Sequence, residues 1–114
     1  MKRIAIVACE NSNTVCAGCA CLNAFYDRRK SFERYAGEEL RLMAFMRCSH
    51  CVKDGDPMQD AGFVEKLERR VSESVEIVHI GLCGGRTEET ACPGMAKMAA
   101  AFREKGLTVV WGTH

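Results

Sequence analysis

Four short apolar runs, separated by segments with helical periodicity, restrict the fold of this chain more than any other feature. They read "RIAIVA", "LRLMAFM", "VEIVHI" and "LTVVW", at 3–8, 40–46, 75–80 and 107–111. Each is short and bounded by polar or glycine-containing stretches, which predicts strands rather than helices. The first, third and fourth are almost continuously hydrophobic, and this predicts burial on both faces, as in a parallel sheet.

Between the strands, apolar residues recur at spacings of three and four, which is typical of amphipathic helices. The two clearest stripes are Met58, Ala61, Val64, Leu67 and Val71, and Met95, Met98, Ala99 and Phe102. We expect Asp56 to cap the first of these helices, with Pro57 at its first position and Gln59 completing a capping box. We expect Gly106 to end the second. Residues 20–36 should hold one or two shorter helices, with Phe25, Phe32 and Tyr35 facing inward.

Strands that alternate with helices imply right-handed βαβ units and a parallel sheet. The chain of 114 residues should form a single domain over 1–114, since it is long enough to bury a hydrophobic core. The predicted class is α/β, a four-stranded doubly wound parallel sheet in a Rossmann- or flavodoxin-like three-layer sandwich. The expected strand order is 2-1-3-4 or similar.

Charge and hydropathy exclude several partners. The net charge is +1 and the basic residues are spread along the chain, so no nucleic-acid partner is expected. No apolar run approaches the ~20 residues that span a bilayer, so no membrane partner is expected. The opening "MKRIAIVACE" lacks the long apolar region of a signal peptide, and we expect a cytoplasmic protein. In that compartment eight cysteines favour metal ligands or redox thiols over a disulfide framework.

Cysteines and histidines follow the predicted strands rather than lying within the core helices. Because parallel strands end at one edge of a sheet, these residues should gather at the carboxyl edge, where open α/β sheets bind ligands. The candidate metal ligands are Cys9, Cys16, Cys21, Cys48, Cys51, His79, Cys83, Cys92 and His114. His114 stands three residues beyond the last strand, and Gly112 permits a turn that keeps it near this edge.

Thiolate and imidazole donors suit zinc, copper(I) and iron–sulfur clusters, and they exclude magnesium and calcium as the main occupant. Cys48 and Cys51 form a CxxC pair ahead of a helix, whose positive end would lower the thiol pKa. A lowered pKa helps metal ligation and thiol exchange alike, so both remain open. The stretch "GLCGGRTE" at 81–88 lacks the P-loop ending and the GxGxxG spacing, which indicates tight turns rather than phosphate binding.

Taken in order, the cysteine motifs resemble those of the CGGC-domain family, which consists of small proteins rich in cysteine and histidine. The resemblance runs nearly end to end. It is carried by Cys9, "CAGCAC" at 16–21, "CSHC" at 48–51, "HIGLC" at 79–83, "CP" at 92–93 and "GTH" at 112–114. It implies metal binding, and the zinc role suggested for the family rests on that same composition.

Two departures from the family pattern affect the ligand set. "CSHC" replaces the motif that names the family, so two glycines are absent and His50 is gained. Gly94 stands where the family pattern has a histidine. The resemblance also implies that Cys16 and Cys21 have the family's spacing, whereas Cys19 has no counterpart and should be dispensable.

Three functions remain on the sequence alone. The leading one is a cytoplasmic metal-binding protein, with zinc slightly favoured over an iron–sulfur cluster and Cys48 and Cys51 as the primary ligands. The alternative is a thiol–disulfide oxidoreductase that uses the same pair without metal. A binding module with incidental cysteines is the third. The sequence assigns no catalytic residue and no protein partner.

Overall fold

Four parallel strands form one sheet, with the order β2-β1-β3-β4. They are β1 (Lys2–Ala8), β2 (Leu40–Arg47), β3 (Ile77–Ile80) and β4 (Thr108–Trp111). A computed structural model describes residues 1–9, 16–48 and 59–113 of the chain. The α/β class, the parallel sheet and the strand order predicted from the sequence are all confirmed. β3 is shorter than predicted, since it begins at Ile77 rather than at Val75.

Helices connect the strands and cover both faces of the sheet. They are α1 (Cys19–Asp27), a 3₁₀ helix (Lys30–Tyr35), α2 (Ala61–Ser72), a one-turn 3₁₀ helix (Leu82–Gly84) and α3 (Pro93–Glu104). α1 begins at Cys19, so Cys19 and Cys21 both lie in its first turn. The expectation that cysteines lie outside the core helices was therefore wrong for Cys21, which is buried under α1. Gly18 adopts φ 84°, a left-handed conformation that turns the chain directly into the helix.

The sheet separates two hydrophobic cores, as a doubly wound fold requires. Ile4 and Ile6 of β1 pack with Phe25, Phe32 and Tyr35 on one face. Ala5 and Val7, which point the other way, pack with residues of α2 and α3. The expectation that Phe25, Phe32 and Tyr35 face inward is confirmed, since all three are buried.

A bulge in β2 decides which of its side chains enters which core. Ile4 pairs with Leu42, but Ala5 pairs with Ala44, so Met43 is an extra residue on β2. One extra residue reverses the facing of everything that follows it. Phe45 therefore packs against the core under α1. Met46 and Cys48 enter the core under α2 and α3.

The two longer helices differ in how well their sequence predicted them. The stripe of α3 is confirmed, because Met95, Met98, Ala99 and Phe102 are all buried. Among the α2 side chains whose burial the structure describes, Phe63 and Leu67 are buried, whereas Ala61 is exposed, so the predicted stripe was partly wrong. The predicted N-cap Asp56 and its neighbours Pro57 and Met58 lie outside the described residues.

Asp60 caps α2 instead. Its carboxylate oxygen Oδ1 accepts hydrogen bonds from the backbone N–H groups of Gly62 at 2.9 Å and Phe63 at 3.2 Å. These are two of the amide groups that a helix leaves unpaired at its start.

We predict that Asp60→Ala lowers the free energy of unfolding by about 1 kcal/mol, because two helix amides lose their acceptor. Urea denaturation followed by far-UV circular dichroism measures this. Asp60→Asn is the matched control, since its amide oxygen still accepts both hydrogen bonds and stability should stay close to that of the wild type. Equal losses in the two variants would show that the cap contributes nothing.

Candidate functional site

Three cysteines directly follow three adjacent strands at the carboxyl edge of the sheet. Cys9 comes after β1, and Cys48 after β2, where its backbone N–H donates to the Ala8 carbonyl at 2.9 Å. Cys83 lies in the one-turn 3₁₀ helix that follows β3. The seven described cysteines carry thiols rather than disulfides.

Gly81 leaves an open space that two of the sulfur atoms border. A Cβ atom built on Gly81 would lie 3.4 Å from Cys83 Sγ and 3.6 Å from Cys21 Sγ. The backbone N–H of Gly81 donates to the Val7 carbonyl at 2.8 Å, which holds the glycine against the central strand. Only glycine leaves the space between the two sulfurs unfilled.

Backbone amides point at the sulfurs of this group. The N–H of Cys9 donates to Cys83 Sγ at 3.1 Å, and the N–H of Gly18 donates to Cys16 Sγ at 3.3 Å. Hydrogen bonds of this kind orient metal ligands and tune the charge on a coordinating sulfur. The turn at Gly18 therefore supports Cys16 on one side and begins the helix that carries Cys21 on the other.

Burial, together with the negative charges that Cys83 and Cys16 would carry as thiolates, raises the pKa of the Cys21 thiol to about 11. The Arg47 guanidinium acts in the opposite direction. Arg47 also ties the loop to the sheet, because it donates to the carbonyls of Cys9 at 3.3 Å and Cys16 at 3.1 Å. Cys16, Cys21 and Cys83 thus form an electrostatically coupled group, here named the thiol cluster.

Cys48 packs on the opposite face of the sheet from Cys21. It is only 3% exposed and lies in the core under α2 and α3, so this predicted ligand is part of that core, whereas Cys21 lies in the core under α1. The β2 bulge turns Cys48 to that face. Cys19 is exposed at the start of α1, and Cys92 is exposed at the N-cap of α3. Cys51 and His114 lie outside the described residues.

His79 is fully buried and both of its ring nitrogens have partners. Tyr35 Oη lies 2.8 Å from Nε2, and Ser31 Oγ lies 3.2 Å from Nδ1. Because the single Ser31 proton is donated to the Thr113 carbonyl at 3.1 Å, Nδ1 must carry the imidazole proton and Nε2 must accept from Tyr35. The ring also stacks on Phe32, with ring centres 4.1 Å apart. To bind a metal, His79 would first have to give up one of these contacts.

Sequence reasoning did not find the hydroxyl partners of His79. The available signal was a histidine inside the buried run "VEIVHI", since a buried imidazole requires hydrogen-bonding partners. Ser31 and Tyr35 lie four residues apart in the 3₁₀ helix above the sheet. Nothing local identifies them, because they reach His79 only when that helix packs on β3.

The donors match a soft metal ion in chemistry but are not drawn together around one point. Across the described ranges 1–9, 16–48 and 59–113, no three Cys, His, Asp or Glu side chains have the spacing of a metal site. The thiol cluster nevertheless combines soft donors with backbone amide support, and its sulfurs would repel one another if all were ionised. A divalent cation would offset that repulsion, so the chemistry of these donors suits such an ion.

Together the fold and this site define a doubly wound α/β protein with a cysteine-lined carboxyl edge. The chain belongs to the CGGC domain family, whose family model matches residues 3–114. The resemblance noted from the sequence is thereby confirmed. Comparisons with curated proteins and with solved structures found no match. None of the helices within the described residues has the length and hydropathy needed to span a membrane.

Burial and, to a smaller extent, the positive charge of Arg34 together lower the pKa of His79 to about 3. The unfolded chain, with an imidazole pKa of about 6.5, binds a proton that the folded chain excludes, so acid favours unfolding below that pH. Metal-free wild-type protein should therefore lose about 2 kcal/mol more stability than His79→Gln between pH 7 and pH 5. Urea titrations of both proteins at the two pH values measure the difference. Parallel losses would show that His79 already accepts a proton in the folded protein.

Proposed function

We propose that this protein binds a soft transition-metal ion at the carboxyl edge of its sheet, with zinc favoured over an iron–sulfur cluster. The observation that carries the proposal is the thiol cluster around Gly81. Two sulfurs border one open space. A third thiol is coupled to them electrostatically. Such a group is unfavourable when ionised without a cation, and zinc is a common partner of thiolates in proteins.

Cys16, Cys21 and Cys83 are the ligands that we propose from the described residues. Binding would require Cys21 to lose its proton, since metals take cysteine as thiolate, and affinity should rise with pH for that reason. Cys9 would support this site through its backbone N–H, which donates to Cys83 Sγ. The sulfur of Cys9 stays a predicted ligand. Cys48, Cys51, Cys92, His79 and His114 stay predicted ligands.

Zinc is favoured because it accepts three thiolates with a histidine or a water as the fourth ligand, whereas an iron–sulfur cluster typically takes four cysteines. Three thiolates from the thiol cluster would leave one position for a further residue or for a small ligand. The metal supplies Lewis acidity there, and the chain's own residues supply orientation through the amides of Cys9 and Gly18. We also propose that the protein acts in the cytoplasm, a reducing compartment in which such thiols persist.

Protein purified without oxygen should contain zinc and no acid-labile sulfide. Cys83→Ser and Cys16→Ser should each weaken zinc affinity against a competing chelator by at least about 100-fold, because loss of a mere supporting group already costs roughly 10–100-fold. Cys19→Ser is the matched control. Cys19 is exposed at the same helix start but lies outside the thiol cluster, so its replacement should leave affinity unchanged. Far-UV circular dichroism verifies that each variant is folded.

Two results would contradict the proposal. Finding iron with stoichiometric sulfide would show that the protein binds an iron–sulfur cluster rather than zinc. Equal losses of zinc affinity in Cys19→Ser and Cys83→Ser would show that the thiol cluster is not the ligand set. The oxidoreductase based on Cys48 and Cys51 stays a prediction, since Cys48 is buried and Cys51 lies outside the described residues. A metal-free protein in which that pair forms a disulfide reversibly would favour the oxidoreductase.

A further inference from the structure

A basic cleft lies beside the thiol cluster at the carboxyl edge of the sheet. It has a volume of about 560 Å³ and is lined by Lys30, Ser31, Leu82, Arg86, Trp111 and Gly112. Two neighbouring clefts continue it. One shares Lys30 and Leu82 with it. The other shares Leu82 and Arg86 with it and also contains Cys83. The three clefts form one groove that meets at Leu82.

The described residues that line the groove bring more positive than negative charge. Its ionisable lining residues, apart from cysteines, are Arg29, Lys30 and Arg86, and no described Asp or Glu lines any of the three clefts. Arg29 pairs with exposed Asp27 at 2.8 Å. Among the described residues, Lys30 and Arg86 form no ion pair. Glu88, two residues beyond Arg86, is paired with Arg103.

Backbone geometry holds the two walls of the basic cleft in place. Lys30 adopts φ 56°, a left-handed conformation that is unfavourable for a residue with a side chain. Gly112 adopts φ 69°, and a Cβ atom there would lie 3.6 Å from the Arg86 carbonyl oxygen. The chain after β4 therefore runs close to the Arg86 backbone. Strain of this kind persists where surrounding structure enforces it, and it concentrates at binding sites.

Polar groups continue beneath the basic cleft. Ser31, one of its lining residues, bonds through Oγ to His79 and to the Thr113 carbonyl. Thr113 is fully buried, and its hydroxyl Oγ1 has no hydrogen-bond partner among the described residues. A buried hydroxyl without a partner is costly and requires an explanation such as a water or ligand.

We propose that the basic cleft binds a small organic anion that carries carboxylate or phosphate groups next to an apolar portion. Lys30 and Arg86 would hold the charged groups, since Arg in particular recognises both kinds of anion. Trp111 is half-buried and provides the apolar wall. The bound anion would lie next to Cys83, but its binding does not depend on a metal in the thiol cluster.

Trp111 is the only tryptophan of the chain, so no other indole contributes to the emission. It lines the cleft and also packs against the core under α2 and α3, so far-UV circular dichroism at each probe concentration verifies that the fold is unchanged. The probes are phenyl phosphate and propane-1,2,3-tricarboxylate, titrated into the full-length protein at constant ionic strength. At least one should change Trp111 emission saturably at up to millimolar concentration. Which of them binds more tightly distinguishes a phosphate ligand from a carboxylate ligand. Phenol, which has no charge at neutral pH, should bind more weakly than phenyl phosphate.

Charge-neutralising variants test which cations hold the anion. Lys30→Gln and Arg86→Gln should each weaken binding about tenfold or more, because a charged hydrogen bond is lost. Lys105→Gln and Arg41→Gln remove the same charge from exposed positions outside the groove, Arg41 lying on the opposite edge strand, and should bind like the wild type. Metal-free protein should also retain anion binding, which separates this site from the metal proposal. A lack of saturable response to both probes, or equal weakening in all four charge variants, would overturn the proposal.

Discussion

The central strand β1 is the constraint on which the rest of the structure depends. It pairs with β2 on one side and with β3 on the other, and its residues from Ile4 to Ala8 are all buried. Burial on both faces requires helices on both faces, so the α1 side and the α2–α3 side follow from this one strand. The same pairing brings Cys9, Cys48 and Cys83 to one edge, because all of its neighbours run parallel to it.

At that edge two effects make ionisation within the thiol cluster unfavourable. Burial makes ionisation of Cys21 unfavourable, and neighbouring ionised sulfurs make it more so. Amide hydrogen bonds and the Arg47 charge offset only part of this. A bound cation would reverse the balance, since it attracts each thiolate directly. His79 shows the opposite solution nearby, because it is kept neutral and is held by two hydroxyl groups.

Much of the fold could be predicted because its signals are local. Near-continuous hydrophobicity identified the buried strands, and spacing of three and four identified α3 with four of its five core residues, Ala101 being the fifth. α2 was harder, because Phe63 lay outside the apparent stripe and the true cap, Asp60, accepts from amides that a sequence does not place. In the candidate site, the carboxyl edge followed from strand direction alone. The sequence did not predict that Cys48 packs on the opposite face of the sheet from Cys21, because that depends on one extra residue in β2.

The sequence by itself determined the α/β class, the strand order, the family and the edge at which cysteines gather. Periodicity and strand direction are enough for these, since each depends on residues close in the chain or on a general rule of handedness. Only the tertiary structure decided that Cys21 meets Cys83 over Gly81, that His79 turns to Tyr35 and Ser31, and that Lys30 and Arg86 line one cleft. Each of these joins residues far apart in sequence. Such contacts depend on strand register and on how the helices pack over the sheet, and no local pattern encodes either.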